Sequence, residues 1–435
     1  MRFQLASPAF LPRSTADSAR EQRNVLSSMT LKEELEILRG EPIEVFNGDP
    51  MEIPCIETSD AERLCKNPVV SVNMITYNHE PYIRQAIEGV MIQKTDFEFE
   101  LVIGEDASQD KTREICFEYQ KKYPDKIRVL WWHENVTKFG GNARRVTAHC
   151  RGEFVAFCEG DDYWVDQLKL QKQVDVMRKH PNVGMVFTNG NVCLQKQNEI
   201  LQWNADKIWH DGLISGYEFM LIHMFGVWRE KSALHASTFL LTASVLVRQE
   251  CLKSATEKYE IFRYELFLGD TTTWLGVASQ CDAYYLNNVA VVYNVRDTGL
   301  CHSSSGRVYR DALIVRMYYF AEYFKRPFSF LPNRLLFRAY YALLNEWCSD
   351  AEHCVKLGFR GFAKRVRTTR YLSCVVSCRQ VLPLTCFLWI LNSTKIKIAG
   401  RYFKYIANNR HMPKWLKKEY TRLGVTYFDN KRRSF

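Results

Sequence analysis

VVSVNMITYNHEPYIRQAIEGVMIQ, residues 69–93, decides the fold. Val69–Ile75 is a compact apolar run of β-favouring residues, and Thr76-Tyr-Asn-His79 ends it before a helical stretch that starts near Pro81. A short apolar run bounded by turn residues reads as a buried strand, and apolar residues three and four apart after it read as a helix. The same change of period recurs downstream. Glu100–Ile103 is predicted as a second strand, ending in Gly-Glu-Asp-Ala-Ser-Gln-Asp at 104–110, with a helix over Thr112–Lys122. Ile127–Trp132 is a third strand, Asn142–Cys150 a helix, and Phe154–Cys158 a fourth strand ending in Glu-Gly-Asp-Asp-Tyr-Trp. A helix over Gln167–His180 and a strand at Met185–Thr188 complete the series. Strands alternating with helices predict an α/β fold with a mostly parallel central sheet wrapped by helices.

The segment 190–305 is less regular: an aromatic stretch (Trp203, Trp209, Tyr217, Phe225, Trp228), a strand-like Thr238–Arg248, Leu-Gly-Asp at 268–270 opening a helix, and a strand at Val289–Val295. Asp311–Phe324 and Leu335–Trp347 carry apolar residues at helical spacing. Before the strand series, Thr30-Leu-Lys-Glu33 has the spacing of a helix-capping box, and Asn67-Pro68 marks a boundary. Three regions follow: a helical extension over 1–66, the α/β domain over 67–305, and a helical, basic region over 306–435.

Composition narrows the class. A chain of 435 residues is two to three domains' worth at ~100–200 residues each. Hydrophobic residues at 46% and charged residues at 25% exclude wholesale disorder and fibrous character. No run reaches the ~18 apolar residues of a membrane span; the nearest, Val381–Leu391, contains Pro383 and Thr385. The N-terminal MRFQLASPAFLPRST lacks a long apolar core, so no secretory signal is expected and the chain is placed in the cytoplasm. The fourteen cysteines are scattered, none at two-residue spacing, and are expected as buried reduced thiols, neither metal thiolates nor a disulfide framework. Net charge is +10, but 19 of the 59 Lys and Arg and only two acids fall between Val355 and Phe435. That tail carries +17, and the other 354 residues sum to −7. Aromatics such as Trp389, Tyr402 and Trp415 lie among its basic residues. It reads either as a solvated helical face or as a patch for an anionic membrane surface on the cytoplasmic side. No nucleic-acid-binding module is recognisable in it.

In parallel sheets, ligands bind beyond the carboxyl ends of the strands, so polar clusters that end strands carry the functional signal. Glu159-Gly-Asp-Asp-Tyr-Trp164 places Asp161 and Asp162 side by side after a buried strand. Adjacent buried acids are costly unless a cation neutralises them, and hard oxygen ligands suit Mg²⁺ or Mn²⁺; the bland alternative is a solvated turn or helix cap. Glu105 and Asp106 end the second strand, where an acid accepts hydrogen bonds from a base or ribose, or where the cluster simply forms a turn capping the helix at Thr112. Thr76 and Asn78 end the first.

Together these blocks resemble the family 2 glycosyltransferases, inverting nucleotide-sugar transferases with the Rossmann-like A-type fold. The likeness runs through VSVNMITYNHEPYIRQAIEGVMIQ (70–93), LVIGEDASQDKT (101–112), ARRVTAHCRGEFVAFCEGDDYW (143–164) and, more loosely, STFLLTASVLVR (237–248) and LGD (268–270). The resemblance implies that Thr76 and Asn78 meet the nucleotide and that Asp106, with Glu105 beside it, holds the base or ribose. It implies that Asp161 and Asp162 form the metal-binding motif, with Asp162 as ligand, that Arg144 approaches the phosphates, and that Asp270 is the general base. The family's late Tyr-Arg-x-His element is altered here to Tyr293-Asn-Val-Arg296, with His302 further on. The implied donor is a nucleotide-diphospho-sugar, by family habit UDP-linked, and the implied acceptor a saccharide or lipid-linked saccharide, in surface polysaccharide or glycolipid assembly. Two other readings stay open: a non-catalytic sugar-nucleotide-binding protein, and a nucleotidyl polymerase prompted by Gly160-Asp-Asp.

Overall fold

The computed structural model describes residues 30–39, 42–45, 55–136, 142–203, 205–225, 240–264, 266, 269–296, 311, 315, 318 and 319, all within one compact unit of the chain. Its strands are β1 (Ile56–Thr58), β2 (Val70–Thr76), β3 (Phe99–Glu105), β4 (Ile127–Trp131), β5 (Phe154–Phe157), β6 (Tyr163–Trp164), β7 (Val183–Leu194), β8 (Glu199–Gln202), β9 (Gly212–Ile214), β10 (Leu246–Arg248) and β11 (Asp282–Val295). They form one sheet in the order β1-β4-β3-β2-β5-β10-β7-β11-β6, with β8 added to β7 and β9 to β11.

The expected α/β class holds, and the central sheet is largely parallel but mixed. β4, β3, β2 and β5 run parallel, as do β7 and β11. Between those blocks β10 is inserted antiparallel to both β5 and β7. The remaining pairings, through β1, β6, β8 and β9, are also antiparallel. An apolar run such as the one before Arg248 looks the same whichever way the strand points, so direction was not readable from it.

Parallel strands are covered on both faces, which is why they read as continuous apolar runs rather than alternating ones. Six of the seven residues of β2 and all seven of β3 are buried. The helix Ile83–Met91 covers one face through Ile83, Ala86, Ile87 and Val90, all fully buried, at the i, i+3, i+4, i+7 spacing of a single helix face. Ile83, Ile87 and Val90 each contribute ~1.5–3 kcal/mol on burial. The helix Thr112–Lys122 has the predicted bounds. Asp110 accepts from the Thr112 amide at 3.0 Å and from the Glu80 amide at 3.0 Å, the capping turn that the cluster's bland reading anticipated. The capping box forms as well: the Thr30 amide donates to Glu33 Oε2 at 2.8 Å and the Glu33 amide to Thr30 Oγ1 at 3.3 Å, ahead of the helix Leu31–Arg39.

Asp311, Val315, Tyr318 and Tyr319 are helical. Tyr319 donates its hydroxyl to the Thr272 carbonyl at 3.0 Å, so this segment packs on the helix Gly269–Ala278. The predicted helix at Leu335–Trp347, His302 and the rest of the basic tail lie outside the described residues. Among the described residues no helix is long and apolar enough to cross a membrane.

Candidate functional site

Two loops close around the end of β2. The Asp106 amide donates to the Thr76 carbonyl at 3.1 Å, and the Gly160 amide to the Ile75 carbonyl at 2.8 Å. The clusters that follow β3 and β5 therefore flank the one that follows β2. Gly160 is required by that closeness: a Cβ there would lie 2.7 Å from Thr76 Oγ1 and 3.0 Å from His79 Nδ1. Asn78 ties the loops together from a left-handed backbone conformation, φ 53°. Its amide donates to Ser108 Oγ at 3.0 Å, and its Oδ1 accepts from the Gln109 amide at 2.8 Å. Asn tolerates this region better than most residues.

The acidic turn is pinned from the far side of the sheet. β6, which follows it directly, pairs with β11 through Trp164 and Val291, and this brings the end of β11 over the acids. The Asn294 amide donates to Asp162 Oδ1 at 2.9 Å, and the Asn294 side chain donates to the Asp161 carbonyl. Two residues on, just past the end of β11, Arg296 forms an ion pair with Asp161. Its guanidinium also lies 3.0 Å from His79 Nε2 and 5.3 Å from the centroid of the Tyr82 ring. The altered element at Tyr293–Arg296 thus sits on the acidic motif. Burial pushes His79 down toward its neutral form.

Asp270 opens the helix Gly269–Ala278 and is held by two donors, the Thr271 amide at 2.6 Å and Thr242 Oγ1 at 3.4 Å. Thr242 also acts on Glu159, lowering its carboxyl, while the charge of Asp270 raises it. A continuous set of contacts therefore links Asp106, Thr76, the turn 159–162, Thr242 and Asp270. Burial raises the Asp270 carboxyl. Burial and the Asp161 charge raise Glu159 to about 8, and the same causes push Asp162 well above the carboxylate range.

Three other residues singled out in the sequence have structural partners. Glu105, fully buried, forms an ion pair with Arg113 and accepts from the Ser108 amide at 2.7 Å. Arg144 donates to the Phe262 carbonyl at 2.6 Å. Asp106, also buried, accepts from the Val136 amide at 2.6 Å. Residues that the sequence reading left out are Glu159, Thr242, Asn294 and, within the first loop, His79. Glu159 abuts Gly160-Asp-Asp, and Asn294 lies two positions before Arg296 in the altered element; those were the available signals.

Does the acidic turn suit a divalent cation? Among the described residues no three His, Cys, Asp or Glu side chains form a ready metal cage. Mg²⁺ and Mn²⁺ do not need one, since one or two carboxylates suffice when phosphates complete the shell. The turn carries the sign of such a site: mutually raised buried acids, and Glu159 Oε2 buried without a partner. Asp162 and its neighbours fit a hard cation.

Beneath the turn, Lys169 is fully buried, its ammonium 4.0 Å from the Trp164 ring centroid and donating to Gln173 Oε1 at 2.9 Å. Burial lowers its pKa to about 7, whereas an unfolded Lys titrates near ~10.4. Between those values the unfolded chain binds the additional proton, so stability rises with pH across that window and is lost as pH falls through 7. Urea titrations at pH 6.5 and 9.5 are expected to show the gain, and Lys169→Met to diminish it. An identical pH increment in the variant would remove Lys169 as its source.

Comparison with known proteins places these residues in context. The family described as glycosyl transferase family 2 matches residues 71–221. An uncharacterized protein of Mycobacterium tuberculosis is 39% identical over 142 residues, 32% of this chain and 41% of that protein. A putative teichuronic acid biosynthesis glycosyltransferase of Bacillus subtilis is 35% identical over 130 residues, 29% of this chain and 49% of that one. The chain spans less than half the length of these curated relatives. Residues 1–349 of TarS from S. aureus, solved with UDP-GlcNAc, align over 79% of this chain and 93% of theirs, at 17% identity and a TM-score of 0.48.

Proposed function

We propose that this chain, which belongs to glycosyl transferase family 2 through residues 71–221, moves a sugar from a nucleotide-diphospho-sugar, UDP-linked by family habit, to an acceptor hydroxyl in surface polysaccharide or glycolipid assembly. The observation that carries this reading is the junction at Thr242, where a carboxylate fit to be a base meets an acidic turn fit for a cation. Asp270 takes the proton of the acceptor hydroxyl as that oxygen attacks the anomeric carbon from the face opposite the leaving group. One C–O bond forms as the other breaks, the configuration inverts, and the nucleoside diphosphate departs. Burial keeps Asp270 more basic than a solvated carboxylate, which suits it to the task. A divalent cation held by Asp162 would supply charge neutralisation of the departing diphosphate. Arg296, already on Asp161, and the paired loops after β2 and β3 give the donor a cationic and hydrogen-bonding frame.

The polymerase reading of Gly160-Asp-Asp loses support because β5, which leads into it, runs parallel to β2, whereas a polymerase palm is antiparallel. The non-catalytic reading is separated by a direct assay. Incubated with UDP-sugars and Mn²⁺ but no acceptor, the protein is expected to release UDP slowly, and Asp162→Ala to abolish both that release and the Mn²⁺-dependent part of UDP binding by calorimetry. Mn²⁺-dependent binding with no release for any sugar would mean a binding protein.

A further inference from the structure

Away from the acidic turn, two thiols meet. Cys251, in the helix Gln249–Lys258, and Cys281, in the turn before β11, have their sulfurs 2.8 Å apart, and both keep exposed surface. The space they occupy is left open by Gly184 of β7. A Cβ at that position would lie 2.5 Å from Cys281 Cβ, 2.9 Å from Cys281 Sγ and 3.1 Å from Cys251 Sγ. Flanking side chains hold the two segments in register: Ser254 Oγ donates to Gln280 Oε1 at 2.7 Å, and the Tyr259 hydroxyl to Ser279 Oγ at 2.8 Å.

We propose that Cys251 and Cys281 are a thiol–disulfide exchange site, which takes a small disulfide of the glutathione class and closes a reversible bond across the segment bearing Asp270. The pair is asymmetric. Either sulfur can donate in this contact, and Arg248 favours a thiolate on both; with Cys251 as the donor, the contact favours the Cys281 thiolate and shifts Cys251 upward. Thiolates, not thiols, attack disulfides. Cys281 attacks one sulfur of the small disulfide, whose S–S bond breaks; one small thiolate leaves with the bonding electrons and takes a proton. Cys251 then gives up its proton and attacks Cys281 Sγ, expelling the second small thiol. Two protein S–H groups become one S–S bond, and the two electrons reduce the reagent to two thiols.

The inference stands apart from the proposed activity and is tested on the full chain by mass spectrometry. After incubation with oxidised glutathione, alkylation of remaining thiols and non-reducing digestion, a Cys251–Cys281 linked peptide is expected. It should be two hydrogens lighter than its separate parts and should disappear on reduction. Cys251→Ser should instead accumulate a glutathione mixed disulfide on Cys281. Full alkylation of both cysteines in the wild type, a mixed disulfide that persists there, or pairing with other cysteines would each overturn the proposal.

Discussion

Replacing Asp270 by Asn is expected to lower kcat by ~10²–10⁴-fold, the usual worth of a positioned general base, with nucleotide affinity nearly unchanged. Asn is close in shape, so it still accepts from the Thr271 amide, and Thr242 can turn its hydroxyl toward the new amide group. The fold at the start of the helix is therefore kept while the proton acceptor is removed. Turnover and UDP affinity, measured side by side, separate the two effects. The wild type adds a pH signature: the base works only when deprotonated, and burial raises its pKa, so the rate is lost as pH falls through that raised value. A variant that retains the wild-type rate would take Asp270 out of the role.

Glu100→Ala is expected to be the most damaging single change to stability, by about 3–5 kcal/mol. Glu100 is fully buried in β3 and gathers a network. It accepts from Ser71 Oγ at 2.6 Å and from Arg151 Nη2 at 2.6 Å, and Arg128 Nη1 lies 3.3 Å away. Truncation leaves the mostly buried Arg128 with Glu57 as its remaining carboxylate partner, and removing one member of a buried pair strands the charge of the other. Chemical denaturation of the purified variant measures the loss directly. A change below about 1 kcal/mol, the worth of a surface pair, would mean that solvent replaces the network.

Most strands of the parallel block were legible within a residue or two, because buried strands of apolar residues alternate with helices whose apolar faces have a different period. The helix Thr112–Lys122 could be read to its ends because Asp110 and Thr112 form its cap. β11 was read as starting at Val289 but begins at Asp282; Asn287 and Asn288 interrupt its apolar run, while pairing to β7 and β9 extends it regardless. Adjacency marked Asp161 and Asp162 in the sequence. Nothing local marked Thr242, and only its neighbour Arg296 marked Asn294; both reach the acids because β10 and β6 take antiparallel places in the sheet. Glu105 illustrates the opposite case: an acid in a promising cluster, committed to Arg113 inside the fold. The meeting of Cys251 and Cys281 has the same origin, since a spacing of thirty positions carries no motif.

The guanidinium resting on Asp161 makes occupancy of the turn a contest between counterions. An incoming dication, brought with a diphosphate, would have to compete with one tethered to the end of β11. On the proposed reading, filling the turn would be an ion exchange, and the strand that carries the displaced cation would register it.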